Sequence, residues 1–374
     1  MFKIYGNHDD NTITQMDLCM NTGSAAMGVL CADGHLGYAH PIGGVVGYTD
    51  HISISGVGFD IACGNMAVKL DTRYDDVKDK VQTILDDISR VVSFGVGRAN
   101  NTPVDHDLFD SHLWTAADVF ELKDLARSQL GTVGAGNHYV DLFEDEDGFV
   151  WIGVHFGSRG LGHKITTKYL ALAGAKDQMI SPPALVEASS ELGQRYFAGV
   201  QLGGLYAYAG REWVVEQVRR IVGGNVTEQV HNHHNFVWRE KHNGVYMWVV
   251  RKGATPAFPG QAGFVGGSMG DNAVILEGVN SAESAEAMYS TVHGAGRTMS
   301  RTAAKKAIPR QEWIDWLEQK QVTLVGADLD ESPQAYRRLP EVLDFHKNTI
   351  NILHQLRPFG VIMAGKGVAD PYKD

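Results

Sequence analysis

A chain of 374 residues, 44% of them hydrophobic, can bury a substantial core, which excludes a disordered protein. A formal charge of -11 excludes a surface coated in positive charge, so nucleic acid would have to be met by a local patch. One such patch is Arg297, Arg301, Lys305, Lys306 and Arg310, in a stretch that holds no acidic residue. Cys19, Cys31 and Cys63 cannot all pair within the chain and fit neither a zinc knuckle nor a secreted disulfide framework. The first residues do not resemble a signal peptide, and no apolar run approaches the roughly 18 residues that cross a bilayer, so the expected location is cytoplasmic with no membrane partner.

In chain order, a β-type run over residues 44–55 leads into the glycine-flanked turn Gly56-Val57-Gly58-Phe59-Asp60-Ile61-Ala62-Cys63-Gly64. Val77, Val81, Ile84, Leu85, Ile88 and Val91 recur at helical spacing. Residues 149–156 read as a strand, 207–222 as a helix, 246–251 and 273–276 as strands, and 340–356 as a helix. The 43 glycines cluster between these segments and read as turns and close backbone approaches rather than as a linker. With no repeat and no break in composition, the expected fold is a mixed α/β (α+β) single domain over residues 1–374, with a central β core and surrounding helices.

Asp60 and Cys63 stand three residues apart, close enough to meet one metal centre. Imidazoles recur at Gly136-Asn137-His138, at His155 before Phe156-Gly157-Ser158-Arg159-Gly160, and in His231-Asn232-His233-His234-Asn235. Each histidine alone reads as a satisfied core or loop residue; together with Asp60 and Cys63 they supply ligands for two ions sharing a bridging thiolate. On softness alone such a set suggests zinc before manganese. Asn137 and Asn235 could bind phosphates or orient imidazoles. In His293-Gly294-Ala295-Gly296-Arg297-Thr298-Met299-Ser300-Arg301 a histidine precedes small residues and two arginines, a pattern that suits attack on phosphorus but that alone reads more simply as a turn histidine followed by a surface basic helix. Gly266-Gly267-Ser268-Met269-Gly270 is a second glycine loop, and it matches neither the P-loop nor the dinucleotide fingerprint.

Taken in order, these motifs resemble the RtcB family of RNA-splicing ligases, joined by Asp33-Gly34-His35-Leu36-Gly37, Leu130-Gly131-Thr132-Val133-Gly134, Arg251-Lys252-Gly253-Ala254 and Lys366-Gly367. The resemblance covers nearly the whole chain. It implies two Mn2+ ions bridged by Cys63 and completed by Asp60, His138, His155 and His234, with His293 accepting GMP from GTP. Nucleotide contacts implied by position are Asn137, Asp141, Asn235, Gly266, Gly267, Ser268, Met269, Gly294, Ala295, Gly296 and Lys366. The implied substrates are RNA ends, a 3′-phosphate or 2′,3′-cyclic phosphate joined to a 5′-hydroxyl, as in tRNA splicing or RNA repair, with an accessory activating protein as a further partner. Arg159, Lys252, Arg297 and Arg301 are candidates for RNA or phosphate contacts.

Three positions depart from the family pattern. Asp141 stands where Glu is frequent, Gly266 replaces a proline and Ala273 a serine, and all three bear on guanine selectivity. Two other readings of the motifs stand beside the ligase: a binuclear phosphoesterase or nucleotidyltransferase on the same scaffold, and a catalytically silent RNA-binding relative.

Overall fold

The structure is a computed structural model that describes residues 2–176 and 178–365. As expected, helices and strands are mixed. The main sheet runs, in spatial order, Ala262–Val265, Ala273–Gly278, Ile350–Met363, Tyr139–Glu144, Phe149–His155, Gly64–Arg73 and Val226–His233, antiparallel throughout. Thr323–Val325 adds to Ile350–Met363 in parallel. The strands are apolar on both faces because both are covered. Val150, Ile152 and Val154 point toward the helices Val81–Val91 and Glu191–Val222, and Trp151 points to the opposite face with Phe143, Phe264 and Leu356. That inner face curls on itself until the two edge strands meet. Asn65 Nδ2 donates to Phe264 O at 2.8 Å, and Phe264 N donates to Asn232 Oδ1 at 3.1 Å.

A second sheet orders Lys3–Ile4, Ala25–His35, Ile42–Tyr48, Val245–Lys252 and Asn235–His242; its first pair is parallel and the rest antiparallel. The chain passes from one sheet to the other at His234, between the strands Val226–His233 and Asn235–His242.

The helix Glu191–Val222 begins well before residue 207, where apolar periodicity becomes clear. Its N-terminus is capped by Ser190, whose side chain accepts from Gly193 N, and it stops at Gly223 with φ 88°. Glycines in its first half depress helix propensity and hide the signal, but one of them is required by packing. A Cβ on Gly203 would stand 2.8 Å from Ile61 Cγ2, so only glycine lets this helix press against the turn that carries Asp60 and Cys63.

Residues 340–356 differ from the expected helix. Only Leu339–Asp344 is helical, and Ile350–Met363 is a long strand in the middle of the sheet. Its apolar spacing suits either period, and pairing on both edges decides for the strand. Likewise, the run expected as β over 44–55 ends in the short helix Ile54–Val57, capped by Ser53.

Candidate metal and nucleotide site

Sheet register gathers the candidate ligands. Asn65 lies opposite His155, Tyr139 lies opposite His155, and Gly64 lies opposite His233. The start of Gly64–Arg73, the end of Phe149–His155, the start of Tyr139–Glu144 and the end of Val226–His233 therefore share one rim, and Cys63, His155, His138 and His234 meet there. The 60–63 turn closes through Cys63 N donating to Asp60 O at 3.0 Å and places Ala62 in the left-handed region at φ 59°. It is strapped to the crossover by Ala62 N to Asn235 O at 2.7 Å and His234 N to Cys63 O at 2.8 Å.

Two overlapping sets of potential ligands result, Cys63–His155–His234 and Asp60–Cys63–His138, with the donor atoms of each within 4.8 Å of one another. Cys63 belongs to both, as a bridging thiolate requires. Its Sγ lies 3.7 Å from His138 Nε2 and 3.7 Å from His155 Nε2, and His138 Nε2 lies 3.0 Å from Asp60 Oδ2. Asn65, which the motifs do not single out, accepts from His155 Nδ1 at 2.7 Å and so leaves Nε2 free to face the thiol. Asp60 can lie where it does because residue 157 is glycine; a Cβ there would stand 2.2 Å from Asp60 Oδ1.

Electrostatics agree with a cation site. Burial holds the imidazoles of His155 and His234 well below their usual range, and neighbouring positive charge adds to it, so both offer neutral lone pairs. Burial pushes the Asp60 carboxyl up, but His138 and Arg159 outweigh it and hold it at about 2. Burial, with Asp60 beside it, pushes the Cys63 thiol well above its ordinary range. A buried thiol sharing a site with a carboxylate is relieved when a cation displaces its proton. His234 Nδ1 is buried with no hydrogen-bond partner among the described residues. The donor set and this orphaned nitrogen fit a divalent transition metal.

His293 stands beside this rim, its ring 4.9 Å from that of His234. Its Nδ1 donates to Asp33 Oδ2 at 2.6 Å, and the backbone N–H groups of His293 and Gly294 donate to the same oxygen at 3.0 and 3.3 Å. Burial pushes the Asp33 carboxyl up, yet the His293 charge and hydrogen bonds outweigh it and hold it below its usual range. An ionised Asp33 thus fixes the Nδ1–H tautomer and leaves Nε2 as the lone-pair nitrogen. The motif Asp33-Gly34-His35 was legible in the sequence, but this pairing across 260 positions was not.

The candidate ligands and His293 open on one cavity of about 380 Å³. Its wall includes Asp60, Cys63, His138, His155, His234 and His293, and also Asn137, Asp141, Asn235, Gly266, Gly267, Ser268, Met269, Gly294, Ala295 and Gly296. Lys366 lies outside the described residues. The glycine loop is held from behind. Trp316 Nε1 donates to Met269 O at 3.1 Å, Ser268 Oγ to Asp271 Oδ2 at 2.7 Å, and Arg338 pairs with Asp271 at 2.6 Å. Asn235 already uses its side chain, accepting from Gly253 N at 2.7 Å and donating to Asp60 O at 3.3 Å. Burial pushes the Asp141 carboxyl well above its usual range, and its Oδ1 has no partner among the described residues. Ala273 is packed in the core with Phe143, Trp151 and Phe264 and is absent from the cavity wall, so that departure does not touch the cavity.

The candidate phosphate contacts divide. Arg159 is on the wall at φ 54°, its Nη1 donating to His138 Nδ1 at 3.3 Å. Lys252 is not; it is buried, and its Nζ donates to Tyr38 O at 3.1 Å. Arg297 and Arg301 line the cavity but face carboxylates, Arg297 with Glu331 at 3.5 Å and Arg301 with Asp330 at 3.4 Å and with Glu331. Lys305 pairs with Asp328 at 2.8 Å. Arg297, Arg301 and Lys305, which looked unopposed in sequence, are therefore answered by acids at Asp328, Asp330 and Glu331.

Fold and cavity together define a class: a mixed α and β protein whose rim carries two overlapping potential ligand sets beside a carboxylate-bound histidine. Comparison with known proteins gives the family. The family described as tRNA-splicing ligase RtcB matches residues 18–123 and 116–364. The chain is 31% identical to the tRNA-splicing ligase RtcB of Archaeoglobus fulgidus over 88% of this chain and 86% of that one. It is also 31% identical to the RNA-splicing ligase RtcB of Escherichia coli K12 over 87% of each, and 29% identical to the tRNA-splicing ligase RtcB of Thermococcus kodakarensis over 94% of this chain and 91% of that one. The chain belongs to the RtcB family. Among the described residues no helix is long and apolar enough to cross a membrane.

Proposed function

We propose that this protein is a GTP-dependent and Mn2+-dependent RNA ligase, a single catalytic domain that joins an RNA 3′-phosphate or 2′,3′-cyclic phosphate end to a 5′-hydroxyl end through a guanylylated His293. The observation that carries the reading is His293, held by the buried Asp33 at 2.6 Å, on the wall of the cavity that also gathers both ligand sets. A phosphoesterase has no need of a nucleophilic imidazole held in one tautomer, and a silent binder has no need of a complete ligand set.

Asp60, Cys63, His138, His155 and His234 would hold two Mn2+ ions, with Cys63 shared. The ions would neutralise triphosphate charge and polarise phosphoryl oxygens. Phosphate and water oxygens would supply the hard donors that a thiolate and imidazoles lack, which reconciles manganese with a set that by softness favours zinc.

His293 Nε2 attacks the α-phosphorus of GTP; an N–P bond forms, the bond to the bridging oxygen breaks, and pyrophosphate leaves. Asp33 keeps Nδ1 protonated and offsets the charge that the ring acquires. An oxygen of the RNA 3′-phosphate then attacks the same phosphorus, displacing the imidazole and leaving a GMP-capped diphosphate end. The 5′-hydroxyl, losing its proton, attacks the RNA phosphorus, and GMP leaves. A cyclic end requires hydrolysis first. Asn137, Asp141, Asn235, Gly266, Gly267, Ser268, Met269, Gly294, Ala295, Gly296 and Lys366 are the proposed nucleotide contacts, and Arg159, Arg297 and Arg301 the proposed phosphate contacts. For the two last, RNA would have to compete with Glu331.

The test is sealing of RNA with a 3′-phosphate end to RNA with a 5′-hydroxyl end by wild-type and His293→Ala protein. Loss of sealing with RNA binding intact supports the mechanism; unchanged sealing eliminates it.

A further inference from the structure

Arg211 has no part in the chemistry above, yet it is a fully buried guanidinium on the inward face of the helix Glu191–Val222. Its Nη1 donates to Ala62 O at 3.1 Å and to Phe156 O at 2.5 Å, its Nη2 bonds His233 Nδ1 at 3.0 Å, and its Nε donates to His231 Nε2 at 2.9 Å. Ala62 adjoins Cys63, Phe156 adjoins His155 and His233 adjoins His234. One side chain thus bonds to the immediate neighbour of every member of the Cys63–His155–His234 set. We propose that Arg211 is a positioning residue that fixes these three ligands relative to one another, and so sets the affinity of one of the two metal sites. The inference rests on reading these residues as metal ligands.

Two features set it apart from a buried arginine that is merely satisfied. Among the described residues no carboxylate lies within ion-pairing distance of Arg211, and its acceptors are two carbonyls and two imidazoles. A cation buried among neutral acceptors is costly unless anionic charge stands near; here the nearby carboxylates act at one remove, Asp60 two residues from Ala62 and Glu212 paired with His231 at 3.6 Å. The four bonds also use four of the five donors of a planar fork, a geometry that the single ammonium of lysine cannot reproduce.

The second set, Asp60–Cys63–His138, is braced differently. Asp60 and His138 are held by each other, by Asn235 and by Arg159, and Arg211 bonds to the neighbour of neither His138 nor Asp60. Cys63 is common to both sets, but His155 and His234 belong to the first alone, so loss of the Arg211 fork should weaken one ion far more than the other.

The experiment uses the full chain, stripped of metal by a chelator and titrated anaerobically with Co2+ alone, following the thiolate-to-metal absorption band; calorimetry with Mn2+ alone gives the stoichiometry. The wild-type protein should bind two ions. In Arg211→Lys, one ion should bind about 10 to 100-fold more weakly, the range for loss of a group that orients a ligand, and the other within a few fold of wild type. Tyr206→Phe removes a buried hydrogen bond to Ala126 O on the same helix, away from the ligands, and should leave both ions unchanged. Two-ion binding by Arg211→Lys at wild-type affinity, or equal weakening of both ions, would overturn the inference. Should Arg211→Lys not fold, His233→Gln removes one arm of the fork and should show the same loss of one ion in milder form; wild-type binding there would overturn it equally. Absence of a thiolate band in the wild-type protein would instead sink the metal-site reading and the inference with it.

Discussion

Replacing Asp33 by Asn tests whether the carboxylate sets the nucleophile. The side chain is fully buried, and one oxygen accepts from His293 Nδ1 at 2.6 Å and from two backbone N–H groups at 3.0 and 3.3 Å. An amide can keep all three bonds through its carbonyl, with its NH2 in the place of Oδ1, which has no partner among the described residues, but it is neutral. It therefore still holds Nδ1–H, yet no longer offsets the charge that the ring acquires when Nε2 attacks. Losing the charge on a hydrogen-bonded partner costs about 1.5–3 kcal/mol, or roughly 10 to 100-fold in the rate of adduct formation. The fold should be less affected, because all three bonds survive. The assay is rapid-quench measurement of label transferred from α-labelled GTP to protein, with a thermal melt as control. A folded Asp33→Asn protein that forms the adduct at the wild-type rate would refute the reasoning.

Gly157→Ala places a Cβ 2.2 Å from Asp60 Oδ1 and 2.8 Å from Cys63 N, so we expect a loss of about 1–3 kcal/mol in a denaturant melt and reduced metal binding. Asn65→Ala removes the acceptor that orients His155 and the donor to Phe264 O; metal affinity by titration should fall about 10 to 100-fold. In the metal-free protein Asp60 is held at about 2 against an ordinary 3.8. A folded-state value below the unfolded one means that its stabilisation is present above pH 3.8 and lost as pH falls toward 2. Melts of Asp60→Asn should accordingly decline less steeply than wild type across that window. Trp316→Phe deletes the hydrogen bond to Met269 O, and we expect a several-fold rise in the KM for GTP with little change in kcat.

The ligand motifs were legible because each carries imidazole, thiol or carboxylate beside glycine, and the structure brings all of the described ones to one cavity. What joins them was not. Asp33 and His293, or Arg211 and Phe156, are related by sheet register and helix packing, which no local spacing records. The fold class followed from mixed periodicities, whereas the strand Ile350–Met363 was misread as helix because its apolar spacing suits either period until its partners are known. The basic stretch from Arg297 misled for the opposite reason. Its composition was read correctly, but the acids that answer it arrive with the segment carrying Asp328, Asp330 and Glu331.

The central claim is that His293 becomes covalently guanylylated. Purified protein would be incubated with Mn2+ and GTP, digested under alkaline conditions that preserve a phosphoramidate, and mapped by mass spectrometry. GMP on His293 and no adduct in His293→Ala are expected. GMP on another residue, or no adduct in a protein that demonstrably binds its two ions, would contradict it.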